Sequence, residues 1–224
     1  MTVEIDPFRA ISVSRLAHEL KAQGRSIIHM EFGQPSTGAP TAAIAQAHQN
    51  LDSEPGGYWE SPSLRDRIAK LYDDRYGVTV DPERVVMTAV AGLEAHHQGQ
   101  HAGLVAMDEA EELEANIDVY RANRALMLDA LPAMGLRSIA PPDGAFYIYA
   151  DIGHLTDDSI GFCEALLRET GVATAPGVDF DPVNGHRFIR FSFAVSTAQV
   201  EDALNRVKPF FAARTAAAEE RLGA

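Results

Sequence analysis

The most informative segment of this chain reads Phe188-Ile189-Arg190-Phe191-Ser192-Phe193-Ala194. Its aromatic and β-branched residues are typical of a β-strand, and this strand places Arg190 among aromatic side chains. A guanidinium group can hold a carboxylate with two parallel N–H bonds, which a lysine cannot do. Arg190 is therefore a candidate for carboxylate binding. The alternative is an arginine at a strand edge that pairs with a surface acid.

The segments around this strand indicate a small sheet covered by helices. In chain order they are a helix over residues 113–134, an aromatic-rich strand over 145–149, a helix after Asp157-Asp158 and an extended segment over 172–174. Ser196 and Gln199 then form a capping box that begins a last helix. The order of strand, helix, strand, strand and helix behind a long helix predicts an α/β chain of the α+β type.

The first ninety residues predict a mixture of short helices and strands. They contain a helix with Ile11, Leu16 and Leu20, a strand over 26–32, a helix from Pro40 with Ile44 and Leu51, a helix from Ser61-Pro62 to Gly77, and a strand at Val85-Val86-Met87. The Ser-Pro pair is a strong helix start, because serine caps free N–H groups and proline suits the first helical position. The first strand leads into the loop Gly33-Gln34-Pro35-Ser36.

The composition is that of a globular, acidic protein. The chain has 224 residues, of which 46% are hydrophobic, and 19 Lys and Arg against 32 Asp and Glu give a net charge of −13. This charge argues against nucleic acid or anionic membranes as partners. The single cysteine, Cys163, excludes an internal disulfide and a cysteine-based zinc site. With no run of 18 apolar residues and no secretory pattern at the start, we expect a cytoplasmic protein.

Four short motifs occur in a fixed order along the chain. They are Phe32-Gly33-Gln34-Pro35, Gly57-Tyr58 ahead of Leu64-Arg65, Pro142-Asp143-Gly144-Ala145-Phe146-Tyr147, and the segment from Phe188 to Ala194. In this order they resemble the class I/II aminotransferases, which are pyridoxal-phosphate (PLP) enzymes of fold type I. The resemblance covers most of residues 11–92 and 100–213. It implies the small C-terminal domain and N-terminal arm of that fold, a homodimer, and amino-group transfer between an amino acid and a 2-oxo acid.

The resemblance also implies roles for three residues. Arg190 matches the family arginine that binds the substrate α-carboxylate, and Gly33 matches a loop glycine whose backbone lies against the substrate. Tyr58 matches the tyrosine that reaches the PLP phosphate of the neighbouring subunit. The alternatives are an ordinary turn glycine at position 33 and a core or loop aromatic at position 58. Phe146 and Tyr147 are assigned to the core of the sheet rather than to the site.

The chain departs from the family pattern at the cofactor. Family members hold PLP as a Schiff base on a lysine, whereas this chain has only Lys21, Lys70 and Lys208, each predicted as a solvated residue of a helix. The family aspartate for the pyridine nitrogen and the Asn-Pro segment are absent, and Val90 stands where the phosphate-binding turn has a glycine. We therefore assign no catalytic residue, do not expect this chain to hold PLP, and predict that it is inactive alone. A weaker alternative is residual PLP binding through Tyr58 and one of the three lysines.

The simplest explanation of these absences is an internal deletion that joins two flanks of an aminotransferase near residues 92–99. The chain would then consist of an N-terminal arm and the start of the large domain over 1–92, a junction over 93–103, the small domain over 104–213 and a tail over 214–224. The alternative function is a non-catalytic module for binding or dimerisation, which pairs with itself or with a related chain. An exposed apolar face on the N-terminal half would favour such association.

Two further groups of residues could carry chemistry. His97 and His101 are four residues apart beside His96, a spacing that can hold a metal on a helix, but the acid of a zinc-protease motif is missing. A solvated junction is the preferred interpretation, so no metal site is predicted. Cys163 falls on the apolar face of a helix and is predicted to lie in the core instead of acting as a nucleophile.

Overall fold

The computed structural model of this chain describes residues 7–53, 61–87 and 97–223. The helices of these residues are α1 (Arg9–Ala22), α2 (Thr41–Ser53), α3 (Pro62–Tyr76), α4 (His97–Ala106), α5 (Ala110–Ala133), α6 (Ser159–Thr170) and α7 (Thr197–Gly223). Their strands are β1 (Ile28–His29), β2 (Tyr147–Asp151), β3 (Val172–Ala173), β4 (Ala175–Pro176) and β5 (Phe188–Ser192). The chain divides into a sheet unit, residues 1–37 and 117–224, and a helical unit, residues 38–116.

The aromatic strand predicted around Arg190 is the central strand of the larger sheet. β5 pairs in antiparallel fashion with β2 on one side and with β4 on the other. β1 pairs in parallel with β3, so that Ile28 stands opposite Val172. Helices α1, α6 and α7 pack against these strands. The predicted α+β arrangement is therefore confirmed in the sheet unit.

The core of the sheet unit is built from the apolar faces of its strands and helices. Its largest side chains with almost no exposed surface are Phe191, Phe193, Phe211, Met30, Met127, Leu131, Leu136, Ile148, Ile152, Leu166, Leu167 and Ile189. The ring centroid of Phe162 lies 5.3 Å from that of Phe210 and 5.8 Å from that of Phe211. On α7, Val200 and Val207 are buried as well. This helix continues into the segment that was expected to form a tail.

Local sequence signals set several helix ends where the sequence predicts them. The Ser61 hydroxyl accepts a hydrogen bond from Leu64 N–H at 3.2 Å and so caps α3. Gln199 N–H donates to Ser196 Oγ at 3.3 Å, and Ser196 N–H donates to Gln199 Oε1 at 3.2 Å. The glycines that end α3, α5 and α6 in the left-handed conformation are Gly77, Gly135 and Gly171. The predicted N-cap, capping box and helix stops are thus confirmed.

The helix predicted with Ile11, Leu16 and Leu20 is confirmed as α1, and Leu20 is buried, whereas Ile11 is 52% exposed. The buried stripe of this helix also runs through Ala10 and Ala17.

One predicted strand is wrong. Val85-Val86-Met87, predicted as a strand, pairs with no strand among the described residues, although the backbone of Val85 is extended. Val86 is 70% exposed, whereas Val85 and Met87 are half-buried.

The helical unit is held by polar contacts as well as by helix packing. α4 packs on α2 and on α3. Ser61 N–H donates to Gln100 Oε1 at 2.7 Å in a buried position, which ties the start of α3 to α4. Arg67 pairs with Asp108 at 2.9 Å. The exposed large apolar side chains in the described part of this unit are Ile44, Leu51, Tyr72, Tyr76, Val78 and Val86.

The expected domain boundaries at residues 92, 103 and 213 do not coincide with the limits of the two units, and they rest on a different criterion. The helical unit ends at residue 116, inside α5, and the junction expected over 93–103 overlaps the start of α4. The expected boundaries divide the chain by its resemblance to a longer family member, whereas the units divide it into compact parts of the structure. The boundaries therefore stay predictions.

Candidate functional site

Arg190 lies in the middle strand of the larger sheet. In β5 it stands opposite Tyr149 of β2 on one side and Ala175 of β4 on the other. The side chain is half-buried, and its Nη2 donates to the backbone oxygen of Glu31 at 2.7 Å. Within the described ranges, Arg190 forms no ion pair with a carboxylate. A strand-edge arginine paired with a surface acid is therefore not what the structure contains.

The guanidinium group of Arg190 is held between two aromatic rings. Its central carbon lies 4.1 Å from the centre of the Tyr147 ring and 4.0 Å from the centre of the Phe180 ring, which is cation–π geometry. Nε is buried and has no hydrogen-bond partner. Burial lowers the pKa of Arg190, and nearby Tyr147 and Asp179 oppose that shift. Because a buried N–H without an acceptor is costly, Nε is suited to a hydrogen bond with an anionic acceptor.

Gly33 approaches the same group from the loop after β1. A Cβ atom at position 33 would overlap the ring of Phe146 and the hydroxyl of Tyr147, so only glycine leaves room for this approach. A 2.9 Å hydrogen bond from the backbone N–H of Ser36 holds the loop along the end of β5. The hydroxyl of Tyr147 thus lies against Gly33 while its ring covers Arg190. This one tyrosine brings the two predicted residues together.

The second ring over the guanidinium is that of Phe180, which lies in a loop that also caps the first turn of α1. The Asp179 carboxylate accepts hydrogen bonds from the N–H groups of Arg9 and Ala10, each at 2.7 Å. A carboxylate at this position caps the first turn and suits the helix dipole, and Phe8 itself supplies no side-chain cap. Phe180 follows directly and is 40% exposed, with its ring centroid 5.9 Å from that of Phe8. The position of Phe180 is therefore coupled to the start of α1.

A cavity of about 320 Å³ adjoins the loop that carries Gly33. It is lined by side chains of α1, β1 and the loop, among them His18, Lys21, His29 and Glu31. The Glu31 side chain is fully buried, with Oε1 hydrogen-bonded to His29 Nδ1 at 2.8 Å and Oε2 without a partner. The cavity thus has an exposed lysine and a buried carboxylate in its walls.

The lysines of the chain do not fit the attachment of PLP. All three are exposed on helices: Lys21 on α1, Lys70 on α3 and Lys208 on α7. The amine of Lys70 is engaged by Asp74, whose two carboxylate oxygens each lie 2.8 Å away. A Schiff-base lysine needs an activated amine in a desolvated site, and no lysine of this chain has such surroundings.

The structure brings together two of the three residues that the resemblance implies. Arg190 and Gly33 share Tyr147, whereas Tyr58 lies outside the described residues. Sequence reasoning missed the contribution of Tyr147, which it assigned to the core, and did not single out Phe180. The alternation of β2 could have identified Tyr147 as facing away from the buried residues. No local signal identifies Phe180, because its contact with Arg190 depends on how a loop folds back.

The other residues considered from the sequence form no site in the part of the chain that the structure describes. Cys163 is fully buried, as predicted, and burial raises the pKa of its thiol to about 12. No group of three metal-ligating side chains occurs among the described residues, and His96 lies outside them. Over the same residues, every helix is too short or too polar to cross a membrane.

Comparisons with known proteins agree on one family. The family model for aminotransferase class I and II matches residues 92–207. The valine–pyruvate aminotransferase of Mycobacterium tuberculosis is 49% identical over 96 residues, which cover 43% of this chain and 25% of that protein. The aspartate/prephenate aminotransferase of Thermus thermophilus is 38% identical over 111 residues, or 48% of this chain and 28% of that protein. A crystal structure of an aminotransferase from Mycobacterium tuberculosis shares the fold, with a TM-score of 0.80 at 21% identity over 95% of this chain and 100% of that chain.

The family match covers more than half of the residues, so this chain belongs to the class I and II aminotransferases. The resemblance derived from the four motifs is therefore confirmed. The chain spans about a quarter of the length of the two curated relatives. PLP chemistry is a property of the family as a whole.

Proposed function

We propose that this chain is an aminotransferase derivative that binds the carboxylate of an amino acid or 2-oxo acid and does not transfer amino groups alone. The observation that carries the proposal is the guanidinium of Arg190, fixed between Tyr147 and Phe180 with a buried, unpartnered Nε. An arginine held in this way is preorganised for a planar anion with two oxygens. The absence of a side chain at Gly33 lets Phe146 and Tyr147 pack directly against this loop, which holds Tyr147 over the arginine.

The proposed lack of catalysis rests on the lysines. Amino transfer in the family proceeds on PLP bound to a lysine, and the lysines of this chain are exposed or already ion-paired. An internal deletion near residues 92–99, between the N-terminal arm and the small domain, would account for the missing cofactor region. The chain covers only about a quarter of the length of these relatives, which supports that origin. A cytoplasmic location stays a prediction from the sequence.

Pyruvate is a suitable probe because the name of one relative gives it as a substrate. We expect saturable pyruvate binding in a ligand-observed NMR titration of the wild-type chain. Acetone, which lacks the carboxylate but has the same carbon skeleton and ketone, should not compete. In a mixture of PLP, valine and pyruvate, alanine should form no faster with the protein than without it. Equal responses to pyruvate and acetone would refute carboxylate binding, and saturable alanine formation would refute the proposed inactivity.

A second candidate function, association with another copy or a related chain, is favoured by the exposed apolar side chains of α2 and α3. Leu51 is 65% exposed and Tyr76 is 64% exposed, and burial of such side chains against a second chain would stabilise an interface. We expect light scattering after size exclusion to show a mass that rises with concentration. Leu51→Lys should shift this mass towards the monomer, whereas His48→Lys, at another exposed position of α2, should leave it unchanged. A constant monomer mass would argue against this function.

A further inference from the structure

The ring of Phe180 lies over Arg190 although the side chain is partly exposed. The side chain is 40% exposed, yet its ring lies flat enough over Arg190 to put the guanidinium carbon 4.0 Å from the ring centre. Its other aromatic neighbours meet it edge-on, with centroid distances of 5.9 Å to Phe8 and 6.5 Å to Tyr149. A ring on this surface gains less from burial than a core ring does. Its contacts with Phe8 and Tyr149 are edge-on, whereas Arg190 lies over its ring.

The loop around Phe180 is fixed by polar contacts rather than by a hydrophobic core. Phe180 N–H donates to Gly177 O at 2.9 Å, and the Asp181 carboxylate accepts from Val183 N–H at 2.8 Å. Gly177 and Gly185 approach so closely that a Cβ on either would meet backbone atoms of the other segment. The Asp179 carboxylate anchors the same loop to the first turn of α1. These contacts hold the ring of Phe180 in one place.

The two rings lie over the guanidinium of Arg190, so its N–H groups can be reached only in the plane of the group. Tyr147 covers one face from the rigid strand β2, and Phe180 covers the other from the loop. Nη2 is engaged by the backbone oxygen of Glu31, so the remaining donors lie in the plane between the rings. Covering both faces removes water from the group and leaves ligands only the in-plane approach.

We propose that Phe180 is a positioning residue for carboxylate binding, which fixes the plane of the Arg190 guanidinium by closing its second face. This inference rests on the proposed carboxylate-binding function and deepens it. Phe180 need not touch the ligand, because its effect is exerted through the orientation and desolvation of the arginine. An aromatic ring at position 180 is required, whereas apolar volume alone is insufficient.

The test compares Phe180→Leu with Phe180→Tyr in the full chain. Leucine keeps an apolar side chain but removes the aromatic face, so pyruvate should bind about five- to tenfold more weakly. Tyrosine keeps the face and should restore wild-type affinity. The N–H signal of Arg190 Nε, assigned by its loss in Arg190→Lys, gives an independent readout. It should move downfield in Phe180→Leu, because one ring no longer shields it, and stay in place in Phe180→Tyr.

The outcomes separate this inference from the proposed function. If the wild-type chain binds pyruvate and Phe180→Leu binds it equally well with an unshifted Nε signal, the inference is overturned and the proposed function stands. If the wild-type chain does not bind pyruvate, both are overturned. Phe180→Met, an unbranched apolar replacement, is the second variant should Phe180→Leu unfold, and the same losses are expected of it. Thermal unfolding of each variant confirms that a loss of affinity occurs in a folded chain.

Discussion

Replacing Arg190 by methionine should weaken pyruvate binding by about 100-fold. Each hydrogen bond between a charged donor and its acceptor contributes about 1.5–3 kcal/mol, and a tenfold change in affinity corresponds to about 1.4 kcal/mol. Methionine keeps much of the length and apolar character of the side chain while it removes every N–H donor. Its unbranched chain can still fill the space between Tyr147 and Phe180. The loss therefore measures the carboxylate interaction rather than collapse of the site.

Two further variants show whether charge or geometry is responsible. Arg190→Lys keeps the positive charge but not the planar fork, so we expect about a tenfold loss of affinity. Arg187→Lys is the matched control, because Arg187 is exposed and paired with Asp151 at 2.7 Å just before β5. It should bind pyruvate as the wild type does. Wild-type affinity in Arg190→Met would contradict the assignment of this arginine to the carboxylate.

Replacing Asn123 by alanine should lower the free energy of unfolding by about 3 kcal/mol. Asn123 is completely buried on α5, and its Nδ2 donates to the backbone oxygens of Phe193 and Val195 at 3.0 and 2.7 Å. Alanine leaves both carbonyl groups buried without a donor, at about 1–3 kcal/mol each before the chain relaxes. The two bonds fix the chain just after β5, where it also binds the loop that carries Gly33.

Denaturant unfolding followed by circular dichroism measures this effect. Asn205→Ala is the control, because Asn205 is exposed on α7 and its replacement should change stability by less than about 0.5 kcal/mol. The denaturant dependence should be the same in both variants, since the surface exposed on unfolding is unchanged. A loss below about 1 kcal/mol in Asn123→Ala would show that these two hydrogen bonds do not stabilise the sheet unit as inferred.

Helix ends and the central strand could be predicted from the sequence because their signals are local. Ser61 caps a helix whose first turn it precedes, and Gly171 ends a helix whose last residue it follows. β5 is recognisable from its own aromatic residues. In such cases the residues that determine the structure lie within one turn or one strand of each other.

The surroundings of Arg190 could not be predicted because they depend on distant parts of the chain. The cap of α1 comes from Asp179, which lies 170 residues after Arg9. Phe180 covers Arg190 from a loop that is anchored to that helix. The position of Lys21 beside a cavity likewise depends on the pairing of β1 with β3. Spacing along the sequence carries no information on such contacts. Arg190 and Gly33 are candidates because they match motifs of the family.

The proposed function requires that this chain keeps the carboxylate arginine of an aminotransferase without a lysine for its cofactor. Its most direct test is the intact mass after incubation with PLP and reduction by borohydride, followed by peptide mapping. We expect low, unsaturated labelling spread over Lys21, Lys70, Lys208 and the terminal amine, with the same pattern in the urea-unfolded chain. A single stoichiometric adduct on one lysine, formed only by the folded chain, would contradict it. Such an adduct on Lys21, lost in Lys21→Arg, would identify the cavity beside Gly33 as a cofactor site.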